Sequence, residues 1–298
     1  MLKPPQLNKG DKVAIIATAR KVALADLQPA IQLLESWGFQ PVIGTSIGLE
    51  QDQFAGSDQA RAADLQTQIN NPEIKAIWCA KGGYGSVRIL DLVDFSVLLT
   101  QPKWLIGYSD VTAIHAHLNR LGVMSMHGQM AVGVDQKSAE SIQSLEQLLK
   151  GEVLAYKFKP SHFNRKGKAK GKLIGGNLSV IYSLCGSNSA LLPENSVLVL
   201  EDLDEYLYHI DRMMQNLKRN GYFNQLSALI IGGMTEMNDN SIPFGQSAEE
   251  IITEAVAKFN FPVCFNFPCG HIINNQTFIH GHPVSVEVTD EVSKISYM

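Results

Sequence analysis

Residues Trp104 to Thr112 read W-L-I-G-Y-S-D-V-T. An apolar run stops at Gly107, a serine follows two residues later, and beyond it the pattern turns helical. A buried strand, a tight turn and a helix are expected here, which is one half of a βαβ unit. The same alternation extends upstream. K-V-A-I-I-A-T (Lys12 to Thr18) suits a strand buried on both faces. From Asp26 to Trp37, Leu27, Ile31, Leu34 and Trp37 recur at helical spacing, with Pro29 tolerable in a first turn and Gly38 a plausible stop. F-Q-P-V-I-G and I-K-A-I-W-C-A-K read as strands, A-R-A-A-D-L-Q-T-Q-I as a helix, and Val123 to His127 as one more strand. Strands alternating with helices predict an α/β fold with a mainly parallel sheet.

Gly151 to Lys172 breaks this pattern, being rich in Lys and Gly and poor in apolar periodicity. The boundary is placed there: an N-terminal α/β domain over 1–155, a linker over 156–172 and a C-terminal domain over 173–298. The second half carries strands at Val197 to Glu201, Ala228 to Gly233, P-V-C-F-N-F and Val284 to Val288, with a helix from Ser247 to Phe259. The closing K-I-S-Y-M is expected to pair with the strand before it. No internal repeat or low-complexity segment is visible.

The whole chain limits the function classes. Its 298 residues suit two domains, or one large one, with ample core. A net charge of -4 gives no electrostatic case for nucleic acid. The one basic cluster, Asn164 to Lys172, is short and glycine-broken, and reads as a solvated linker. No apolar run reaches about 18 residues, so no membrane span is expected. The N-terminus has no apolar core of a signal peptide. Cys79, Cys185, Cys264 and Cys269 are too few and too scattered for a disulfide framework. Together these points predict a cytoplasmic protein with reduced thiols.

In open α/β sheets, ligands bind beyond the carboxyl ends of the strands. Four segments follow such ends: K-G-G-Y-G-S (Lys81 to Ser86), Ser109, Glu201 with Asp202, and P-C-G-H (Pro268 to His271). A strand-to-helix turn exposes the Ser109 hydroxyl and aims the following backbone N–H groups at a developing oxyanion. The hydrolase elbow G-x-S-x-G is not met, since this turn is G-Y-S-D. The alternative is structural, with Ser109 or Asp110 only capping the helix near Val111. Gly82, Gly83 and Gly85 let backbone approach a ligand closely. They suit an oxyanion hole in which Gly83 N–H joins Asp110 N–H, each such donor being worth about 3 kcal/mol. A functionless tight turn is the competing reading.

A serine nucleophile needs a base. The eight histidines are His115, His117, His127, His162, His209, His271, His280 and His282. His271 lies in a turn-like F-P-C-G-H, away from any apolar stripe. His115 and His117, two apart on the helix after Ser109, face different directions and make poor zinc ligands. His280 and His282 suit a solvated turn better than a metal pair. His209 falls near Asp211 and Arg212 on an expected helix. The orienting carboxylate is best supplied by Glu201, directly after four apolar strand residues, with Asp202, Asp204 and Glu205 competing. The rival reading of this acidic run is a helix start, where carboxylates suit the dipole.

K-G-G-Y-G, I-G-Y-S-D, G-G-N-L (Gly175 to Leu178), L-E-D-L-D-E, H-I-D-R and P-C-G-H occur in that order. The set resembles the LD-carboxypeptidase family, serine peptidases that include the murein tetrapeptide carboxypeptidases and the microcin C self-immunity peptidases. The resemblance covers nearly the whole chain. It implies a flavodoxin-like N-terminal domain with a mainly parallel sheet and a mixed α/β C-terminal domain rich in strands. It implies a catalytic triad of Ser109, Glu201 and His271, with the oxyanion held by the backbone of Gly83 and Asp110. It further implies a homodimer with no metal and no cofactor. Two positions depart from the family pattern: Lys81 stands where Arg is usual, and T-A-R-K (Thr18 to Lys21) replaces a Pro/Ser-rich turn.

The expected substrate is a small peptide, murein tetrapeptide, losing a terminal D-alanine from an L,D-peptide bond. Its free carboxylate needs a cation. Lys81, Arg88 and Arg212 are candidates, and Asn177 is a further substrate-binding candidate. The triad lies on both sides of the expected boundary, so the site is expected in a cleft between the domains. The in-class rival is a microcin-type immunity peptidase. The different-class rival is a ligand-binding protein that kept the fold, against which three intact triad residues speak. An ordinary α/β-hydrolase esterase is disfavoured by G-Y-S-D.

Overall fold

A computed structural model describes residues 1–298. The strands, in chain order, are β1 (Lys12–Ile16), β2 (Gln40–Ile43), β3 (Ile74–Cys79), β4 (Trp104–Gly107), β5 (Ser125–His127), β6 (Ala155–Phe158), β7 (Gly167–Asn177), β8 (Ser196–Leu203), β9 (Ala228–Thr235), β10 (Val263–Cys264), β11 (Phe278–His280), β12 (Pro283–Val288) and β13 (Ser293–Tyr297). The helices are α1 (Gln28–Ser36), α2 (Asp58–Asn70), α3 (Thr112–Leu121), α4 (Ala139–Leu149), α5 (Leu178–Ser183), α6 (Leu207–Arg219) and α7 (Ala248–Ala255). Two compact units result: residues 1–153 with 273–281, and residues 154–272 with 282–298.

The first unit holds a sheet of order β2-β1-β3-β4-β5-β11. The first five strands are parallel and β11 closes the edge antiparallel to β5. This is the flavodoxin-like order the resemblance implied. The inner strands are short and buried on both faces because helices cover both sides: Ala76, Ile77, Trp78 and Cys79 of β3, and every residue of β4, are buried. Helix starts follow local chemistry. Ser57 accepts from Ala60 N–H at the start of α2, and Ser138 from Ser141 N–H at the start of α4.

The second unit holds a sheet of order β10-β9-β8-β7-β12-β13-β6, parallel from β10 to β7 and antiparallel from β12 to β6. Ser247 and Glu250 form a capping box at the start of α7, which is shorter than the expected 247–259 helix. No helix is long and apolar enough to cross a membrane. No cysteine is paired, and burial pushes the Cys79 and Cys264 thiols up to about 12.

The division differs from the expected one in two ways. The segment 156–172 is not a linker, because β6 and the first half of β7 occupy it. Residues Gly167 to Lys172 alternate between half-buried and exposed, so the lysines project from a paired strand, and Lys168 meets its cross-strand partner Glu287 at 2.6 Å. The chain also returns late to the first unit, through β11. This return puts His280 in the first unit and His282 in the second.

Candidate active site

In the first unit, Ser109 lies two residues beyond the end of β4. It opens a short 3-10 turn, Ser109–Val111, which runs into α3. Its φ is +58°, a left-handed conformation that costs a non-glycine residue about 1–2 kcal/mol. Such strain at a strand-to-helix turn is how a nucleophile elbow presents its hydroxyl. The helix begins without a side-chain cap at Tyr108 or Val111, and the Asp110 carboxylate accepts from Ser86 N–H at 2.8 Å. Burial pushes the Asp110 carboxyl up, opposed by that hydrogen bond. The capping alternative therefore loses Asp110. His115 holds the turn from behind: its Nε2–H donates to Gly107 carbonyl at 2.8 Å while Nδ1 accepts from Ser125 hydroxyl at 2.8 Å. Full burial holds this imidazole at a pKa of about 4, so it stays neutral.

The K-G-G-Y-G-S loop leaves the end of β3 beside that turn. A Cβ built on Gly82 would lie 3.4 Å from Ser109 Cβ. Gly83 has a φ of +100°, and a Cβ there would lie 2.5 Å from Arg20 Cδ. The loop is anchored by Arg61, whose buried guanidinium donates to the carbonyls of Thr18 and Gly85 and pairs with Asp58. Thr18 and Ser86 hydroxyls meet at 2.9 Å. Beside Tyr108 a groove of about 470 Å³ is lined by Asp26, Gln129, Asp135 and Lys137.

In the second unit, Glu201 lies on β8, not in a helix, and is fully buried. The β8–β9 register shifts at this point, where β9 carries Gly232 and Gly233. Such a bulge re-aims a side chain at a strand end. His271 Nδ1 meets Glu201 Oε2 at 2.7 Å, and the imidazole keeps 16% of its surface exposed. The carboxylate fixes which ring nitrogen carries the proton and how the ring is oriented.

The competing residues have other duties. Asp202 accepts from Asn177 amide at 2.8 Å and from Ser179 N–H at 2.9 Å, and burial beside Glu201 raises it to about 7. Asn177 caps α5 and is buried, so its amide serves the fold. Glu205 meets His209 Nδ1 at 2.5 Å, one turn apart. Arg88 is bidentate to Asp58, with Nε–Oδ1 at 2.9 Å and Nη2–Oδ2 at 2.6 Å. Arg212 lies 5.1 Å over the Tyr208 ring in the second unit. Lys81 is exposed on the loop. Arg20 and Gln129 were not among the expected residues. The strand-end rule that selects the others also covers Arg20, four residues past β1.

Residues 13–128 match the LD-carboxypeptidase N-terminal domain and residues 170–286 match the LD-carboxypeptidase C-terminal domain. The chain belongs to the LD-carboxypeptidase family. It is a serine-type peptidase, a hydrolase. A Bacillus subtilis (strain 168) family member named "Probable murein peptide carboxypeptidase" is 32% identical over 279 residues, covering 90% of this chain and 86% of its own. The murein tetrapeptide carboxypeptidase of Pseudomonas aeruginosa is 29% identical, covering 93% of each. Among solved structures, the microcin C7 self-immunity protein MccF in complex with aspartyl sulfamoyl adenosine superimposes with a TM-score of 0.89 at 22% identity, over 100% of this chain and 99% of its own. That likeness supports the fold.

Proposed function

We propose that this chain hydrolyses the L,D-peptide bond of murein tetrapeptide and releases the terminal D-alanine. The observation that carries the mechanism is the 2.7 Å bond between His271 Nδ1 and the buried Glu201 carboxylate. A histidine so oriented can take a proton from a nucleophile through its other nitrogen. Ser109, strained at its turn, is that nucleophile. Its Oγ attacks the scissile carbonyl as His271 accepts the proton. Gly83 and Asp110 N–H groups stabilise the oxyanion. His271 returns the proton to the departing D-alanine nitrogen. Water then enters and attacks the acyl carbon as His271 takes its proton, and His271 gives that proton to Ser109 Oγ as the C–Oγ bond breaks. Ser109 belongs to one unit and the His271–Glu201 pair to the other. Relatives named for murein peptide processing support the substrate.

The same reading makes the protein a cytoplasmic homodimer acting in peptidoglycan recycling. Sedimentation of the purified protein tests the dimer. The deciding experiment incubates the protein with murein tetrapeptide and follows D-alanine. Release by wild type and loss of at least about 1000-fold in Ser109→Ala is expected, with the fold retained. Equal activity in Ser109→Ala removes the mechanism.

A further inference from the structure

In a sheet of order 2-1-3-4-5, the chain reverses its direction of winding between β1 and β3, and the ligand crevice opens beyond the carboxyl ends of those two strands. The turn after β1 is T-A-R-K, and the turn after β3 is the K-G-G-Y-G loop. They are tied together at their bases: Ala80 N–H donates to Ile16 carbonyl at 2.7 Å, and Arg61 bridges Thr18 and Gly85. Arg20 is the first charged residue beyond β1. Its stem lies directly on Gly83, since a Cβ there would come within 2.9 Å of Arg20 Cγ and nearer still to Cδ. Gly82 in turn lies against Ser109. Arg20, Gly83, Gly82 and Ser109 are thus contiguous within one unit.

The state of the neighbouring arginines separates them. Arg88 is engaged by Asp58 and Arg61 by two carbonyls and Asp58. The exposed Arg20 guanidinium has neither hydrogen bond nor ion pair, so its planar fork is available for a carboxylate. In a peptide losing its last residue, the free carboxylate is separated from the scissile carbonyl carbon only by a nitrogen and an α-carbon. Its cation must therefore stand next to the oxyanion donors, and Arg20 stands on one of them.

We propose that Arg20 is the residue that binds the C-terminal carboxylate of the peptide substrate, and so makes the enzyme select free C-terminal acids. This rests on the reading of Ser109 and Gly83 as nucleophile and oxyanion donor.

The test compares murein tetrapeptide with its C-terminal amide. Binding of both is measured by calorimetry on Ser109→Ala and on Ser109→Ala with Arg20→Gln or Arg20→Lys. The expected result is a preference of about 10- to 100-fold for the acid, which Arg20→Gln abolishes by weakening the acid alone and Arg20→Lys restores in part. No preference in the Ser109→Ala protein, or a preference that survives Arg20→Gln, overturns the proposal. So does a preference that survives Arg20→Gln but disappears in Lys81→Gln. Turnover is read separately on the wild type: acid-selective binding through Arg20 without D-alanine release overturns the catalytic reading and leaves the carboxylate site standing.

Discussion

Gly270 shows how much of the site depends on one missing side chain. Its φ is +99°, and a Cβ there would lie 2.5 Å from Glu201 Oε2. Any L-residue at this position is strained and also pushes on the carboxylate that orients His271. Gly270→Ala is expected to lower kcat about 100-fold or more with a smaller change in KM. Glu201→Gln, which keeps the volume but loses the charge, should lower kcat about 1000- to 10,000-fold by analogy with the triad aspartate. Steady-state D-alanine release checks both, and a Gly270→Ala enzyme within threefold of wild type contradicts the role given to this loop. At this scale the sequence was informative. Ser109, Glu201 and His271 each follow or approach a strand end, and the strand-end rule selects them without coordinates. It does not select between acidic neighbours: that Glu201, and not Asp202, faces His271 depends on the register shift against β9, which no local pattern encodes.

Elements were legible where burial dictates periodicity. β1, β3 and β4 are buried on both faces and read as apolar runs. The segment 156–172 was not legible, because half of β7 has solvent near both faces and its lysines mimic a linker. β11 was also missed: three residues are too few for a pattern, and its place beside β5 comes from the chain's return. Arg61 was hidden too, as a charged residue on α2 that is fully buried and holds two turns rather than facing water. Arg61→Met leaves the Thr18 and Gly85 carbonyls and the Asp58 carboxylate without it. The expected cost is about 3–5 kcal/mol of unfolding free energy. Urea unfolding at constant m checks this, and a loss under about 1 kcal/mol shows that the loops are held otherwise.

Across the whole molecule, two buried ionisable groups, one in each unit, respond to pH in opposite directions. In the first unit, full burial lowers His115 from 6.5 to about 4. The folded form favours the neutral ring, so this contribution is present above pH 6.5 and is lost as pH falls toward 4, about 3 kcal/mol in all. In the second unit, burial first and the Glu201 charge next raise Asp202 from 3.8 to about 7. The folded form favours the protonated acid, so this contribution is present below pH 3.8 and is lost as pH rises through 7, about 4 kcal/mol in all. The two slopes nearly cancel between pH 4 and 7 if the units unfold together, and they separate into two transitions moving in opposite directions if they do not. Replacing one group exposes the other. Asp202→Asn should make unfolding free energy rise with pH across this window more steeply than in wild type, whatever uniform loss the amide causes at Ser179 N–H. His115→Gln should make it fall more steeply. Denaturant melts of the three proteins at pH 4.5, 5.5 and 6.5 measure the slopes, and parallel curves would show that neither group titrates differently in the folded and unfolded chain.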